Sequence, residues 1–326
     1  MNRHHFLRAL AGVAATGLLA LAAHAQPLSN RPIRIIVPFG AGGVADLTAR
    51  TVGQKLSDQL GQPVVIDNRP GAGGVVAGEV VNKADPDGHT LLLMSNGTAV
   101  SAGLFKSLPF DAQKDFAPIS LLGTFDIAIV VADNSRFKNL GELLTYAKAN
   151  PGKLNIGSIN VGSTQNLAAE LFKTTAGVDA QVVPFNGTPA VVTALRGGQI
   201  DAAVEILGPI KGQITGKALR ALATMSDTRA AGIGDVPTVA ESGGTLAKFD
   251  VSSWNALAAP AKTPRDVINR LNRELNAVLT NPEIKKKLAE LNVDARHSTP
   301  EQLGTLLANE TRRWTDVIVR ANIPRQ

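Results

Sequence analysis

Three times in its first hundred residues the chain passes from an apolar, β-branched segment through a glycine-rich loop into a helix-forming stretch. Few folds accommodate that alternation. In the first unit Ile33-Arg34-Ile35-Ile36-Val37 reads as a strand, Pro38 breaks it, and Gly40, Gly42 and Gly43 make a loop. Leu47, Val52, Leu56 and Leu60 then recur at helical spacing. Residues 63–67 begin the second unit and residues 68–74 are its glycine loop. Residues 90–94 begin the third, which turns at Ser95-Asn96-Gly97-Thr98. Alternating β and α segments with continuously apolar strands predict a parallel sheet covered on both faces, with right-handed crossovers. All three loops then fall at the carboxyl ends of strands, where open α/β sheets bind ligands.

The first loop has a definite chemistry. Its glycines let a ligand approach the main chain. The first N–H groups of the following helix have no intrahelical acceptor, and the helix dipole favours an anion there. A carboxylate or a phosphate would be held by backbone alone. Gly40-x-Gly42-x-x-Ala45 also satisfies the dinucleotide fingerprint, and Asp67 stands about where a ribose-binding acid belongs. On the loop alone, both ligands remain open.

Residues 1–25 have the pattern of a secretory signal. Arg3 and Arg8 precede an apolar core at residues 9–23, and Ala23-His24-Ala25 forms an A-x-A cleavage site ahead of Gln26. The core is too short and too rich in Ala and Gly for a membrane anchor. Arg3-His4-His5-Phe6-Leu7-Arg8 is close to a twin-arginine signal, but His4 stands where the second Arg would be. Export by the general secretory route to the periplasm, with cleavage after Ala25, is therefore expected. The remainder, about 300 residues, exceeds one comfortable core and points to two lobes.

Composition excludes several functions. The formal charge of +6 falls by two when Arg3 and Arg8 leave, and Lys285-Lys286-Lys287 reads as a solvated helix face. No nucleic-acid partner is expected. There are no cysteines, hence no disulfides and no thiol chemistry. Outside the signal only His89 and His297 remain, and both read as surface loop residues. No Ser-His-Asp set, metal-ligand spacing or nucleophile elbow is present. The chain reads as a non-enzyme that needs no metal and no cofactor.

Residues 114–122 read as a connector leading to a second α/β set that opens with Ile127-Ala128-Ile129-Val130-Val131. Asn139 is the N-cap of a helix that Asn150-Pro151-Gly152 stops. Gly162-Ser163-Thr164-Gln165 opens another helix, with hydroxyls as well as N–H groups to offer. Residues 181–185, 199–206 and 219–225 read as strands, the second carrying Asp201 and Glu205. Residues 253–260 read as a second crossing between lobes, with hinges near residues 121–124 and 254–258. The lobes would then comprise residues 26–125 with 253–326, and residues 126–252. The ending is helical, with start signals at Thr263-Pro264, Asn281-Pro282 and Thr299-Pro300-Glu301-Gln302. Val267, Ile268, Leu271, Leu275, Val278 and Leu279 form an apolar face for the first lobe's sheet, and Trp314 reads as core.

Seven ordered blocks carry a family resemblance. Three lie early: Val37-Pro38-Phe39-Gly40-Ala41-Gly42-Gly43 with Asp46 and Ala49-Arg50, Asn68-Arg69-Pro70-Gly71-Ala72-Gly73-Gly74, and Asp85-Pro86-Asp87-Gly88-His89-Thr90-Leu91-Leu92. Gly162-Ser163, Val183-Pro184-Phe185-Asn186-Gly187, Gly198-Gln199-Ile200-Asp201 and Val236-Pro237-Thr238-Val239-Ala240-Glu241-Ser242-Gly243 follow. In these the chain resembles the tripartite tricarboxylate transporter substrate-binding (Bug-type) family of periplasmic solute-binding proteins, over essentially its whole length after residue 25. The resemblance implies an α/β, type II-like fold of two lobes joined by two crossing strands, with the C-terminal helices on the first lobe. It implies a monomer that closes on a small carboxylate, of the di- or tricarboxylate or acidic amino acid class. The loaded protein would serve integral membrane transporter subunits or, alternatively, a membrane sensor kinase.

The resemblance also implies a site in which backbone groups and ordered water, with little help from Arg, grip a carboxylate. Carried over, the cradle is Phe39, Ala41, Gly42, Gly43 and Ala45, with Asp46 either a contact or a helix-start residue. Ser95, Asn96 and Gly97 stand beside it. The second lobe supplies Ser163, Thr164 and Gln165 at one helix start, and Asn186, Gly187 and Ala190 at another. Where the family often has Tyr-x-Gly this chain has Phe185-Asn186-Gly187, which makes Asn186 the replacement for a lost hydroxyl. Glu205 stands where the family often has an acidic residue; pointing inward, it would pair with a ligand ammonium. A dinucleotide-dependent oxidoreductase explains only the first loop and Asp67, and no proton donor is placed at the cleft to serve it.

Overall fold

The computed structural model describes residues 31–230, 232–320 and 322–326; the export-signal reading of residues 1–25 lies outside the described residues. Strands β1 (Ile33–Val37), β2 (Val64–Asn68) and β3 (Thr90–Ser95) pair in parallel, with β1 in the middle. β1 is apolar on both faces because both are covered. Ile33, Ile35 and Val37 pack with Val52 and Leu56 of helix α1 (Val44–Leu60), and Ile36 packs with Ala77 and Val81 of α2 (Val75–Asn82).

Two sheets meet along one strand. β4 (Phe116–Ala132) is a continuous strand of 17 residues that joins the expected connector to the strand expected after it. Residues 116–126 of β4 pair with β9 (Ser252–Pro260), and residues 123–125 also with the short β10 (Val293–Ala295). From Ile127 onward β4 pairs instead with β7 (Ala202–Ile206) and β8 (Leu219–Thr224). β5 (Leu154–Ile159) extends that second sheet beside β7, parallel to it and to β6 (Ala180–Phe185) at the edge.

One expectation is corrected here. Residues 253–260 are no crossing: β9 runs antiparallel between β3 and β4 inside the first sheet. The chain returns from the second sheet between Met225, whose N–H bonds the Ile127 carbonyl, and Val251, whose N–H bonds the Met225 carbonyl. The two passages therefore lie side by side at residues 126–127 and 225–251. Residues 255–258 are held by ladders on both edges, and Trp254 pairs with Thr124 of β4, which leaves no slack for a hinge.

The C-terminal helices cover the first sheet. On α8 (Arg265–Thr280) Ile268, Leu271, Leu275, Val278 and Leu279 are buried, and the helix packs on β4 and α1. Burial of each such side chain stabilises by about 1.5–3 kcal/mol. The Asn281 side chain accepts from the N–H groups of Glu283 and Ile284 at the start of α9 (Pro282–Glu290). Thr299 and Gln302 exchange capping-box bonds ahead of α10 (Pro300–Arg320). Trp314 is buried, as expected. His297 is exposed, but His89 is buried, because its carbonyl receives the Arg34 N–H and extends the β1–β3 ladder through it. Among the described residues no helix is long and apolar enough to cross a membrane.

Candidate functional site

The loops leaving β1 and β3 on one sheet face those leaving β5, β6 and β7 on the other, and a narrow cavity lies between them. It comprises about 320 Å³ of atom-free space measured out to its mouth. Five helix starts reach it. Gly43, Val44 and Ala45 open α1, Ser95 precedes α3 (Asn96–Leu104), Thr164 and Gln165 open α5 (Thr164–Ala176), Thr188 opens α6 (Thr188–Arg196), and Ile206 precedes α7 (Leu207–Thr215). The parallel strand order puts the helices of both sheets in this direction, so their positive ends converge. None of the residues lining the cavity carries a charge.

The donors are unevenly committed. The N–H groups of Val44, Ala45, Thr164, Gln165 and Thr188 belong to first turns and have no intrahelical acceptor. At α3 the cap is internal: Gly97 N–H donates to Ser95 Oγ, and Ser95 N–H to Thr98 Oγ1, each at 3.1 Å. Ser163 Oγ accepts the Asn166 N–H at 3.1 Å as the cap of α5.

Two side chains at the site are buried with unused polar atoms. Asn255 is 1% exposed and lines the cavity, and among the described residues neither its Oδ1 nor its Nδ2 has a partner. Such a group costs stability unless something binds it. Ser253 Oγ beside it shares a 2.8 Å hydrogen bond with Thr164 Oγ1 across the two sheets. Glu205, at the end of β7, is fully buried and lies behind the cavity wall. Its Oε2 accepts from Thr188 Oγ1 at 3.0 Å. The Gln165 side chain also lowers the pKa of this carboxyl, and Oε1 has no regular hydrogen bond among the described residues. Burial pushes this carboxyl up to about 7, against opposing bonds from Thr188, Gln165 and the Ile206 backbone.

Of the residues the sequence nominates, Phe39, Gly43, Ala45, Ser95, Thr164 and Gln165 line this cavity. Gly97 and Ser163 line a smaller adjoining one, with the unpartnered Oδ1 of Asn160. Ala41 and Gly42 are exposed on the outer turn of the loop, and the Gly42 N–H donates to Asp46 Oδ2 at 3.0 Å. Asp46 also accepts from Arg50 Nε at 3.0 Å, and so braces the loop. Burial raises its pKa, but the bonds from Arg50, Gly42 and Asn68 outweigh that and hold the carboxyl below its usual value. Asn96 is buried away from the cavity, where its Oδ1 accepts from Trp314 Nε1 at 2.8 Å. Asn186 and Ala190 are exposed, and Gly187 is the N-cap of α6 with φ 143°. Asp67 is occupied by Arg34 and Arg69.

The rims touch through backbone. The Gly73 N–H donates to the Val161 carbonyl at 2.8 Å, and the Gly97 backbone lies against Gly162. Sequence reasoning missed Thr188, Asn255 and Ser253. Asn255 carried a signal, since it interrupts the apolar run from Trp254 to Pro260 with an amide that a doubly flanked strand cannot hydrate.

Residues 48–323 match the sequence profile described as tripartite tricarboxylate transporter family receptor. Protein BugT of Bordetella pertussis is 34% identical over 320 residues, covering 98% of each chain. MatC of Rhodopseudomonas palustris, solved with bound malate, superposes with a TM-score of 0.84 at 31% identity over 88% of this chain and 99% of its own. A second R. palustris protein, solved with adipate, gives 0.87 at 29% identity over 91% and 99%. The two sheets are thus the two lobes of a periplasmic binding protein fold, and the chain belongs to the tripartite tricarboxylate transporter family of solute-binding receptors.

Proposed function

We propose that this protein captures a small dicarboxylate, free of ammonium, in the periplasm and delivers it to the membrane subunits of a tripartite tricarboxylate-type transporter. The observation that supports this most is the convergence of five helix starts on a cavity with no charged lining. Free N–H groups from both lobes hold one carboxylate there, and the unpaired amide of Asn255 reads a polar group further along the ligand. An acidic amino acid fits less well. Its ammonium would meet the positive ends of the helices, and Glu205, its one anionic candidate partner, stands behind Thr188 and Gln165 rather than at the cavity wall.

In this reading residues 26–125 with 253–326 form one lobe and residues 126–252 the other. The strand passage at residues 126–127 and the return near residues 225 and 251 act as the hinge. The N–H and hydroxyl groups only bind, so no bond is made or broken. Residues 1–25 direct export and are removed after Ala25, and the released protein acts as a monomer. Malate and adipate, the ligands of the two R. palustris relatives, are the first probes. Thermal-shift titration should show a rise in melting temperature with at least one of them and none with aspartate or nicotinamide dinucleotides. Stabilisation of about 2.7 kcal/mol is expected at a hundredfold excess over Kd. A response to aspartate alone would overturn the dicarboxylate reading.

A further inference from the structure

Glu205 is an unusual resident for an anion-binding site. The elements packed on β7 are β4, β5, α5, α6 and α7. Toward Glu205 they present Ala128 from β4, Gln165 from α5, Thr188 from α6 and the Ile206 backbone where α7 begins, while β5 pairs further back at Ala202 and Ala203. None of these is ionisable. The charged groups on the same elements are engaged or lie elsewhere. Asp126 accepts from Ser226 and Asn292, Asp201 holds the Asn155 N–H and Arg136, and Glu170 pairs with Lys173. Arg196 is exposed at the far end of α6, and Lys211 lies against Gly232. Among the described residues the carboxyl therefore has no cation to neutralise it.

Its outlet toward the ligand is Thr188. The hydroxyl bonds Glu205 Oε2 on one side, and on the other it faces the cavity beside Gly43, where an added Cβ would lie 3.6 Å from it. A hydroxyl has one proton to give. While Glu205 is ionised, that proton is committed to Oε2, and Thr188 shows only lone pairs to the cavity. Once Glu205 is protonated, its own O–H donates to Thr188 Oγ1, and the hydroxyl proton turns toward the ligand. Only the second arrangement receives an anionic oxygen.

We propose that capture of a carboxylate is coupled to uptake of one proton by Glu205, a positioning residue that acts through Thr188 and turns the cavity wall from acceptor to donor. The inference rests on the carboxylate reading above. With the carboxyl at about 7, both protonation states are populated near neutral pH. A ligand anion in the same low-dielectric space raises it further, since like charges there disfavour ionisation. Below about pH 6 the free protein already carries the proton and affinity is flat. Above about pH 7 the proton must first be acquired, and affinity falls toward tenfold per pH unit until the complex ionises too.

The experiment is calorimetric titration of the exported protein with malate and with adipate, at pH 6 and pH 8. At pH 8 it is repeated in HEPES and in Tris, whose ionisation enthalpies differ. Kd should weaken about tenfold from pH 6 to pH 8, and the enthalpies in the two buffers should differ by the amount for about one proton taken up. Glu205→Gln, which mimics the protonated form, should hold the pH 6 affinity at both pH values and lose the buffer dependence. Thr188→Ser should retain the coupling. Thr188→Val should weaken binding at pH 6 and flatten the pH profile. Binding with the same enthalpy in both buffers overturns the inference, as does a Glu205→Gln variant with an undiminished pH slope. If that variant does not fold, the buffer pair and the Thr188 variants still decide. If neither acid binds at pH 6, the carboxylate reading itself fails and takes this inference with it.

Discussion

The carbonyl oxygen of Asn186 lies where a side chain on Gly40 would begin: a Cβ built on Gly40 would stand 2.3 Å from it. The loop after β1 and the loop after β6 thus meet backbone to backbone across the two lobes, at a seam next to the cavity-lining residues Phe39 and Thr188. Alanine suits the Gly40 backbone, whose φ is not in the left-handed region, but cannot occupy the closed seam. Gly40→Ala should therefore fold normally and fail to close. Affinity for malate or adipate should fall at least about tenfold, the loss of roughly 1.4 kcal/mol of binding energy. Small-angle scattering should show the natural protein contracting on binding and the variant not contracting. Affinity equal to that of the natural protein would mean that the seam plays no part in closure. The same seam weakens Gly42 as a probe of the anion seat. Gly42 sits at φ +82° with a Cβ 3.3 Å from Pro189 Cγ, so a larger residue there disturbs loop and seam together.

Asn255 is held ready at the expense of stability. Both of its amide atoms are buried without partners among the described residues, a condition that costs about 1–3 kcal/mol. Asn255→Leu keeps the branched shape and removes the unsatisfied atoms. Denaturant unfolding should show the free variant more stable by about 1–3 kcal/mol. Calorimetry should show binding weakened by about 1.5–3 kcal/mol, the usual worth of a hydrogen bond to a charged group. A variant that is both less stable and equally tight would remove Asn255 from the site.

Glu205 imposes a second, pH-dependent cost on the free fold. Its carboxyl rises from 4.5 to about 7 on folding, so the native state keeps its proton where the unfolded chain has already released it. The resulting loss of stability begins as pH rises past 4.5 and is complete above about 7, where it is on the order of 3 kcal/mol. Glu205→Gln has no charge to bury. Its melting temperature should exceed that of the natural protein at pH 8, and the difference should vanish below about pH 4. An unchanged difference across that range would show that Glu205 does not titrate between the two states.

How much of this was legible beforehand depends on the range of the interaction. The strand-loop-helix units, the glycine loops and the caps at Asn139, Asn281 and Thr299 are local, and the sequence spells them out. The fate of residues 253–260 is not local: the run is apolar enough for a buried strand, but only its pairing with both β3 and β4 excludes a crossing. Likewise Asp46 and Asn96 are polar residues at helix starts, where a ligand contact and a structural bond read alike. Arg50 claims the first and Trp314 the second, the latter from more than two hundred residues away. Thr188 lines the cavity with Glu205 behind it, a pairing of α6 with β7 that no spacing announces.

The reassignment of Asn96 carries its own test. Trp314 Nε1 donates to Asn96 Oδ1 at 2.8 Å and to Glu310 Oε2 at 3.1 Å, and the bond to Asn96 ties α10 to the first residue of α3. Trp314→Phe keeps most of the buried ring but withdraws the donor. Asn96 Oδ1 is then left buried and unpaired, which costs about 1–3 kcal/mol, and the smaller ring adds a cavity term. The two together should lower stability by about 3 kcal/mol. Because Asn96 is not among the residues lining the cavity, the affinity of the folded variant for malate or adipate should stay within about twofold, well under the 1.4 kcal/mol of a tenfold change. Denaturant unfolding and calorimetry on one preparation read both quantities. A variant that keeps its stability but loses binding would return Asn96 to the ligand site.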